Sequence, residues 1–240
     1  MMINQQLKQL YKNAYGKLVE PLRQKNSLLG YRDKATNPLL IQVDNNYEKA
    51  DMKIMIFGQE TNSWLSEINR GVFCGEIQPV LECYKSFFLS GNCFKYGGSF
   101  WNGIKRFKSN LKSEYPNIQF SWIWNNIVKV GKCEKGYPYA THSLTDTLFD
   151  VTREEIKILK PDLFIFFTGP NYDSEIRKFL GEFESVVISK FGTRQLSKIS
   201  NSVLKNAYRT YHPNYLWRKG IHSYLSPILM DLRECFAHKM

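Results

Sequence analysis

Four short apolar runs punctuate the chain: residues 52–57 (MKIMIF), 120–124 (FSWIW), 163–167 (LFIFF) and 207–211 (AYRTY). Each is too short for an amphipathic helix and is bounded by turn or helix signals, so each predicts a strand covered on both faces, as in a parallel sheet. Between them the apolar positions fall at helical spacing: Phe100, Ile104 and Phe107 before the second run, Leu148, Val151, Ile156 and Leu159 before the third, and Ile176, Phe179 and Leu180 after it. Strands alternating with helices predict an α/β fold, a three-layer α/β/α sandwich with a central, mainly parallel four-stranded sheet. A further run over 186–189, followed by Phe191-Gly192 and 195–199, points to a small hairpin or an extra edge strand. The opening MMINQQLKQLYKNAYGKLVE has amphipathic helical spacing, and Asn37-Pro38 and Asp44-Asn45-Asn46 are turn signals. Residues 1–50 are therefore an expected N-terminal helical extension to one α/β domain over 51–240.

Composition narrows the class. In 240 residues, 43% hydrophobic and 15% aromatic content supplies a sizeable core and excludes disorder as the main state. The 33 Lys and Arg exceed the 22 Asp and Glu, giving a net charge of +11 that favours nucleic acid, nucleotide or acidic lipid as partner. No run of five or six like charges occurs, which places that charge on a folded surface rather than on a basic tail.

Five cysteines, at 74, 83, 93, 133 and 235, are odd in number and form no C-x-x-C pair, so buried free thiols in a reducing compartment are expected rather than disulfides or a zinc knuckle. His142, His212, His222 and His238 show no ligand spacing, and no metal or cofactor is expected. The N-terminus lacks an apolar signal core, and no segment approaches the ~18–20 apolar residues of a membrane span, so a cytoplasmic protein without a membrane partner is expected.

Ligands of open parallel sheets bind beyond the carboxyl ends of the strands. The first run leads into Gly58-Gln59-Glu60-Thr61-Asn62-Ser63-Trp64, the second into Asn125-Asn126, the third into Thr168-Gly169-Pro170-Asn171, and the fourth into His212-Pro213-Asn214-Tyr215-Leu216-Trp217-Arg218. One rim would collect a carboxylate, an amide pair, a glycine turn and an imidazole, a set that performs acid/base or electrostatic chemistry without a metal. Each residue also has an ordinary reading: Glu60 at a helix N-terminus, Asn126 in a turn, and His212, Phe100 and Trp217 as packing residues.

These segments, in this order, resemble the uracil-DNA glycosylase superfamily over roughly residues 50 to 220. The first loop, Gly58-Gln59-Glu60-Thr61-Asn62, is similar to the family's Gly-Gln-Asp-Pro-Tyr or Gly-Glu-Ala-Pro-Gly; Asn126-Ile127-Val128-Lys129 resembles its Asn-x-x-Lys string. The helix and strand closing on Gly169 match in pattern, and Thr210-Tyr211-His212-Pro213-Asn214-Tyr215-Leu216 resembles the Thr-Tyr-His-Pro-x-x-Leu of thermophile-type members.

The resemblance implies a DNA glycosylase that excises uracil or another deaminated base by flipping it from the stack. Glu60 would position water and His212 would donate to the departing base. Gly58, Gln59, Asn62 and Asn126 would hold the base, with Phe94 or Phe100 stacking on it. Gly169 would approach a phosphate, Tyr215, Leu216 and Trp217 would form a wedge that enters the duplex, Asn214 would contact the DNA, and Arg209, Arg218 and Lys219 would neutralise phosphates. Single- or double-stranded DNA is the expected partner and a monomer the expected state. Thr61 and Asn62 replace the family's Pro and its following Tyr or Gly, and the four iron-sulfur cysteines of the thermophile branch are absent, so no cluster is expected. Two other readings stay open: a DNA- or nucleotide-binding protein without catalysis, and an α/β enzyme for another small substrate.

Overall fold

The computed structural model describes residues 2–65, 73–201, 204 and 206–236, without the side chains of 234–236. His238 and the side chain of Cys235 lie outside the described residues. Along the chain come α1 (Ile3–Ser27), β1 (Ala35–Pro38), β2 (Met52–Asn62), α2 (Ile77–Tyr84), α3 (Asn92–Tyr96), α4 (Gly98–Glu114), β3 (Phe120–Lys132), α5 (His142–Leu148) and α6 (Thr152–Leu159). They are followed by β4 (Leu163–Phe166), α7 (Asp173–Leu180), β5 (Glu184–Val186), β6 (Leu196–Ser200), β7 (Ala207–Thr210), α8 (Pro213–Lys219) and α9 (Ile221–Phe236).

The fold is α/β with a mixed seven-stranded sheet in the order β1-β3-β2-β4-β7-β6-β5. The four apolar runs are its consecutive central strands, and β4 pairs parallel with both β2 and β7. The four-stranded expectation is corrected at both edges. On one side β1 pairs antiparallel with β3, Ala35 opposite Lys132 and Pro38 opposite Val130. Its sequence, ATNP, has no apolar run and reads as a turn; the Asn26 side chain fixes it by accepting from Ala35 N (2.7 Å) and donating to Ala35 O (3.2 Å). Proline is tolerated because β1 lies at the edge of the sheet. On the other side β6 pairs antiparallel with β7 and β5 with β6, the expected hairpin, with its first strand beginning two residues early.

Strands β2 and β3 also run well past their apolar runs. The segment 58–62 and the Asn125-Asn126 pair are therefore in extended strand rather than in the turns that follow it, and Glu60 is not at a helix N-terminus. Gly131 permits this extension: a Cβ there would sit 2.0 Å from the Thr61 carbonyl oxygen. The expected single helical segment across Leu148 and Val151 is instead two helices, α5 ending at Leu148 and α6 starting after Val151.

The chain divides into two compact units, one of residues 1–45, 59–90 and 123–160, the other of 46–58, 91–122 and 161–240. In the first, α1 buries Leu7, Tyr11, Tyr15, Leu18, Leu22 and Asn26, a stripe at steps of three and four, with α5 and α6 among its neighbours. In the second, Phe57 stacks on Phe166 at 4.8 Å between ring centres, and Phe107 meets Phe167 edge-on. Cys93 is buried there as a free thiol, pushed up to about 11 by burial, which leaves it unreactive near neutral pH. Among the described residues, no helix is long and apolar enough to cross a membrane.

Candidate functional site

Alternation along β3 sorts the first unit's polar groups onto two faces. Asn125 and Lys129 share one face with α1 and α6, while Trp124 and Asn126 share the other. On the first, the Lys129 ammonium donates to both Glu155 carboxylate oxygens (2.8 and 3.0 Å) and to Asn125 Oδ1 (2.8 Å). The Asn125 amide donates to Glu155 (3.0 Å) and the Tyr11 hydroxyl donates to it at 2.7 Å, itself accepting from Ile41 N. Lys129 is 6% and Glu155 0% exposed. Burial pushes the Lys129 ammonium below its usual range, with Glu155 opposing that shift. The lysine of the Asn-x-x-Lys resemblance is thus spent inside the protein.

On the opposite face, the Trp124 indole N–H donates to Asn126 Oδ1 at 3.2 Å. An indole is only a donor, so this contact sets which end of the amide is oxygen. Asn126 is 2% exposed, and its Nδ2 has no hydrogen-bond partner among the described residues. The amide therefore holds out an N–H that calls for an acceptor, with a lone pair of Oδ1 still able to accept. The Trp64 indole N–H and the Thr61 hydroxyl, also buried in this unit, are likewise without a partner among the described residues.

Around Trp124 the rings of Trp64, Tyr84, Phe87 and Phe88 gather at 5.3, 6.0, 5.9 and 6.1 Å. The Tyr84 hydroxyl donates to Trp124 O (2.9 Å) and accepts from Trp124 N (3.1 Å), gripping the strand where the amide is presented. The sequence reading missed Trp64, Trp124 and Tyr84 as site residues. The i, i+2 spacing of Trp124 and Asn126 was the available signal for the indole.

Of the other residues expected in this unit, Gln59 and Glu60 are partly exposed on β2 and Asn62 is exposed at its end. Gly58 is buried and belongs to the second unit. On α5 the His142 and Asp146 side chains, one helical turn apart, come together.

In the second unit, His212 caps α8. Its Nδ1 accepts from Asn214 N at 3.2 Å, so the neutral ring carries its proton on Nε2 and presents a donor on its other side. Burial lowers its pKa below the ordinary 6.5, keeping the ring neutral. Phe100 stacks on it at 5.4 Å with an 18° interplanar angle. Pro213 opens α8, where its missing N–H costs nothing, and packs against α4 at Gly103.

A Cβ on Gly103 would fall 2.6 Å from Pro213 Cβ, so this glycine sets how closely α8 approaches α4. Gly103→Ala is expected to lower stability by about 1–3 kcal/mol through overpacking, despite alanine's better helix propensity. Urea unfolding tests this; a stabilised variant would contradict the close approach.

Several expected contacts are corrected. Leu216 is 0% exposed and belongs to the core, so it is no wedge. Gly169 is needed for its φ of +76° and because the Tyr211 ring stands 3.2 Å from where a Cβ would be. Its N–H is committed to Thr210 O at 3.0 Å rather than open to a phosphate. The Arg209 guanidinium, 2% exposed, is held bidentately by Asp173 at 3.0 and 3.2 Å and donates to Arg194 O, which leaves nothing for DNA. Phe94 meets Trp101 edge-on and carries the Lys108 ammonium over its face at 5.0 Å, so that face does not stack a base.

Tyr215 packs on Tyr211 at 4.4 Å. Asn214, Arg218 and Lys219 are exposed, although Arg218 Nε donates back to Asn214 O. Trp217 is 39% exposed. Glu60 and Asn126 thus fall in the first unit, His212 and Phe100 in the second.

No protein-family model matches the chain, and no curated protein matches it.

Proposed function

We propose that the protein is a DNA glycosylase of the uracil-DNA glycosylase type, with that family's three-layer α/β/α arrangement, acting on DNA as a monomer without a cofactor. The observation that carries this reading is the buried Asn126 amide, pinned by Trp124 so that an unpartnered N–H is offered. A carbonyl oxygen satisfies such a group and an exocyclic amine does not, which favours deaminated bases such as uracil or hypoxanthine over their amino parents.

In the reaction the bond between the sugar and the base nitrogen breaks with its electron pair leaving on the base. Water adds at the sugar carbon, and the proton it gives up ends on the departed base, leaving a neutral free base and an abasic sugar. His212, neutral with its proton on Nε2, supports the negative charge developing on the base by hydrogen bonding, and Glu60 orients the water.

The test is incubation of the purified protein, with EDTA, on labelled oligonucleotides containing uracil, hypoxanthine or xanthine, single-stranded and paired, followed by alkaline cleavage at abasic sites. Strand cleavage at one or more of these bases, and none at cytosine or adenine, is expected. Salt-sensitive binding without base release would instead support the non-catalytic DNA-binding reading. That second reading draws on the first motif, where Thr61 is buried within β2 and Asn62 ends it, so the family's Pro-centred loop is missing.

A further inference from the structure

A groove of about 620 Å3 runs along the second unit, lined by Ser99, Asn102, Lys105, Arg106 and Ser109 of α4 and by Trp217 of α8. The α4 positions advance by three and four, so they form one face extending about 15 Å along the helix axis. That length suits a strand better than a lone nucleotide.

Several cations of this unit are neutralised by carboxylates. Arg177 pairs with Glu182, Lys178 with Glu175, Lys198 with Asp231, Arg209 with Asp173 and Arg233 with Glu114. Lys112 is engaged with the carbonyls of Pro116 and Ile118. Lys105 and Arg106 are exposed, have no carboxylate partner among the described residues, and no acidic side chain lines the groove. Two cations kept clear of counter-charges form a surface for an anion.

Trp217 supplies the other half of the recognition. Its indole N–H donates to Ser99 O at 3.1 Å, which fixes the plane of the ring while leaving it 39% exposed. A ring held in place with open surface is a stacking platform, and bases stack on indoles without regard to sequence. Fixed aromatic surface beside unpaired cations matches a single nucleic-acid strand: phosphates on Lys105 and Arg106, a base on Trp217.

We propose that this groove is a track for a single strand of nucleic acid. The inference rests on the nucleic-acid reading above but not on base release. It extends the candidate interface from the α8 residues to Lys105 and Arg106 on α4.

The test uses the full chain and a fluorescein-labelled 12-mer of deoxythymidine containing no uracil, titrated by anisotropy over a range of salt. Trp217→Ala is expected to weaken binding roughly tenfold, and Trp217→Phe, which keeps a ring, by less. Lys105→Ala/Arg106→Ala is expected to flatten the slope of log affinity against log salt by about 1.4, or about 0.7 for each phosphate that is no longer neutralised. Lys12→Ala/Lys160→Ala, exposed cations outside the groove, should match wild type. Circular dichroism melting checks that each variant is folded.

Unchanged binding in both the Trp217 and the Lys105/Arg106 variants overturns the proposal. Equal affinity for heparin with no effect of Trp217→Ala also overturns it, leaving a general cationic surface. Duplex binding preferred over the 12-mer overturns the single-strand assignment. The base-release assay is read separately, so groove-dependent binding without release defeats only the glycosylase reading, and release with groove-independent binding defeats only the track.

Discussion

Lys129→Met is expected to destabilise the protein by about 3–5 kcal/mol, measured as a fall in the urea midpoint at constant slope. The loss comes less from the missing attraction than from what remains. Glu155, 0% exposed, would keep a charge whose ammonium partner is gone, leaving it only the neutral donors Asn125 and Tyr11. Adding Glu155→Gln should recover much of the deficit, because a neutral amide can still accept from Tyr11 and no charge is stranded. The double variant therefore separates a buried ion pair from ordinary packing. A single-variant cost below about 1 kcal/mol would mean that the pair does not form as described.

His212→Ala is expected to reduce base release by about 10²–10³-fold, the usual effect of removing one donor aimed at developing negative charge. It also removes the acceptor that caps α8, at about 1 kcal/mol of stability. His212→Asn keeps an acceptor at the cap and should restore stability without restoring release, which distinguishes chemistry from folding. Release at the wild-type rate in the alanine variant would sink the proposed role.

The same histidine gives stability a pH limb. Its folded pKa lies below 6.5 because burial disfavours the charged ring, so on acidification the unfolded chain takes up the proton first. Stability is fully present above about 6.5 and declines as the pH falls from there towards the lowered value. His212→Asn should flatten that part of a melting-temperature profile.

The central sheet was legible because its four strands are short, continuous apolar runs between helices. β1 was not, because ATNP carries turn residues and is held by Asn26, a side chain nine residues upstream of Ala35. Strand ends were misplaced for a related reason: Glu60, Asn125 and Asn126 are polar, yet the backbone stays extended where Gly131 lets the Thr61 carbonyl approach. Sequence singled out His212 correctly as a polar residue at a strand end, but its tautomer depends on the α8 cap. It could not show that Arg209 and Leu216 point inward, since neighbouring positions on β7 and α8 look equally basic or apolar. Lys105 and Arg106 became informative only once they were placed, exposed, on one face of α4 beside Trp217.

Two adjacent asparagines on β3 have separate obligations: Asn125 belongs to the scaffold and Asn126, in the proposed function, to the flipped base. A strand that changes sides at every residue lets one stretch of backbone hold both duties apart. On that proposal, substitutions at 124 and 126 would retune what is recognised while 125 and 129 keep the protein standing, whereas inserting one residue before Asn125 would exchange the two roles at a stroke. Specificity, on that proposal, would be open to stepwise change by side-chain replacement and closed to change by strand length.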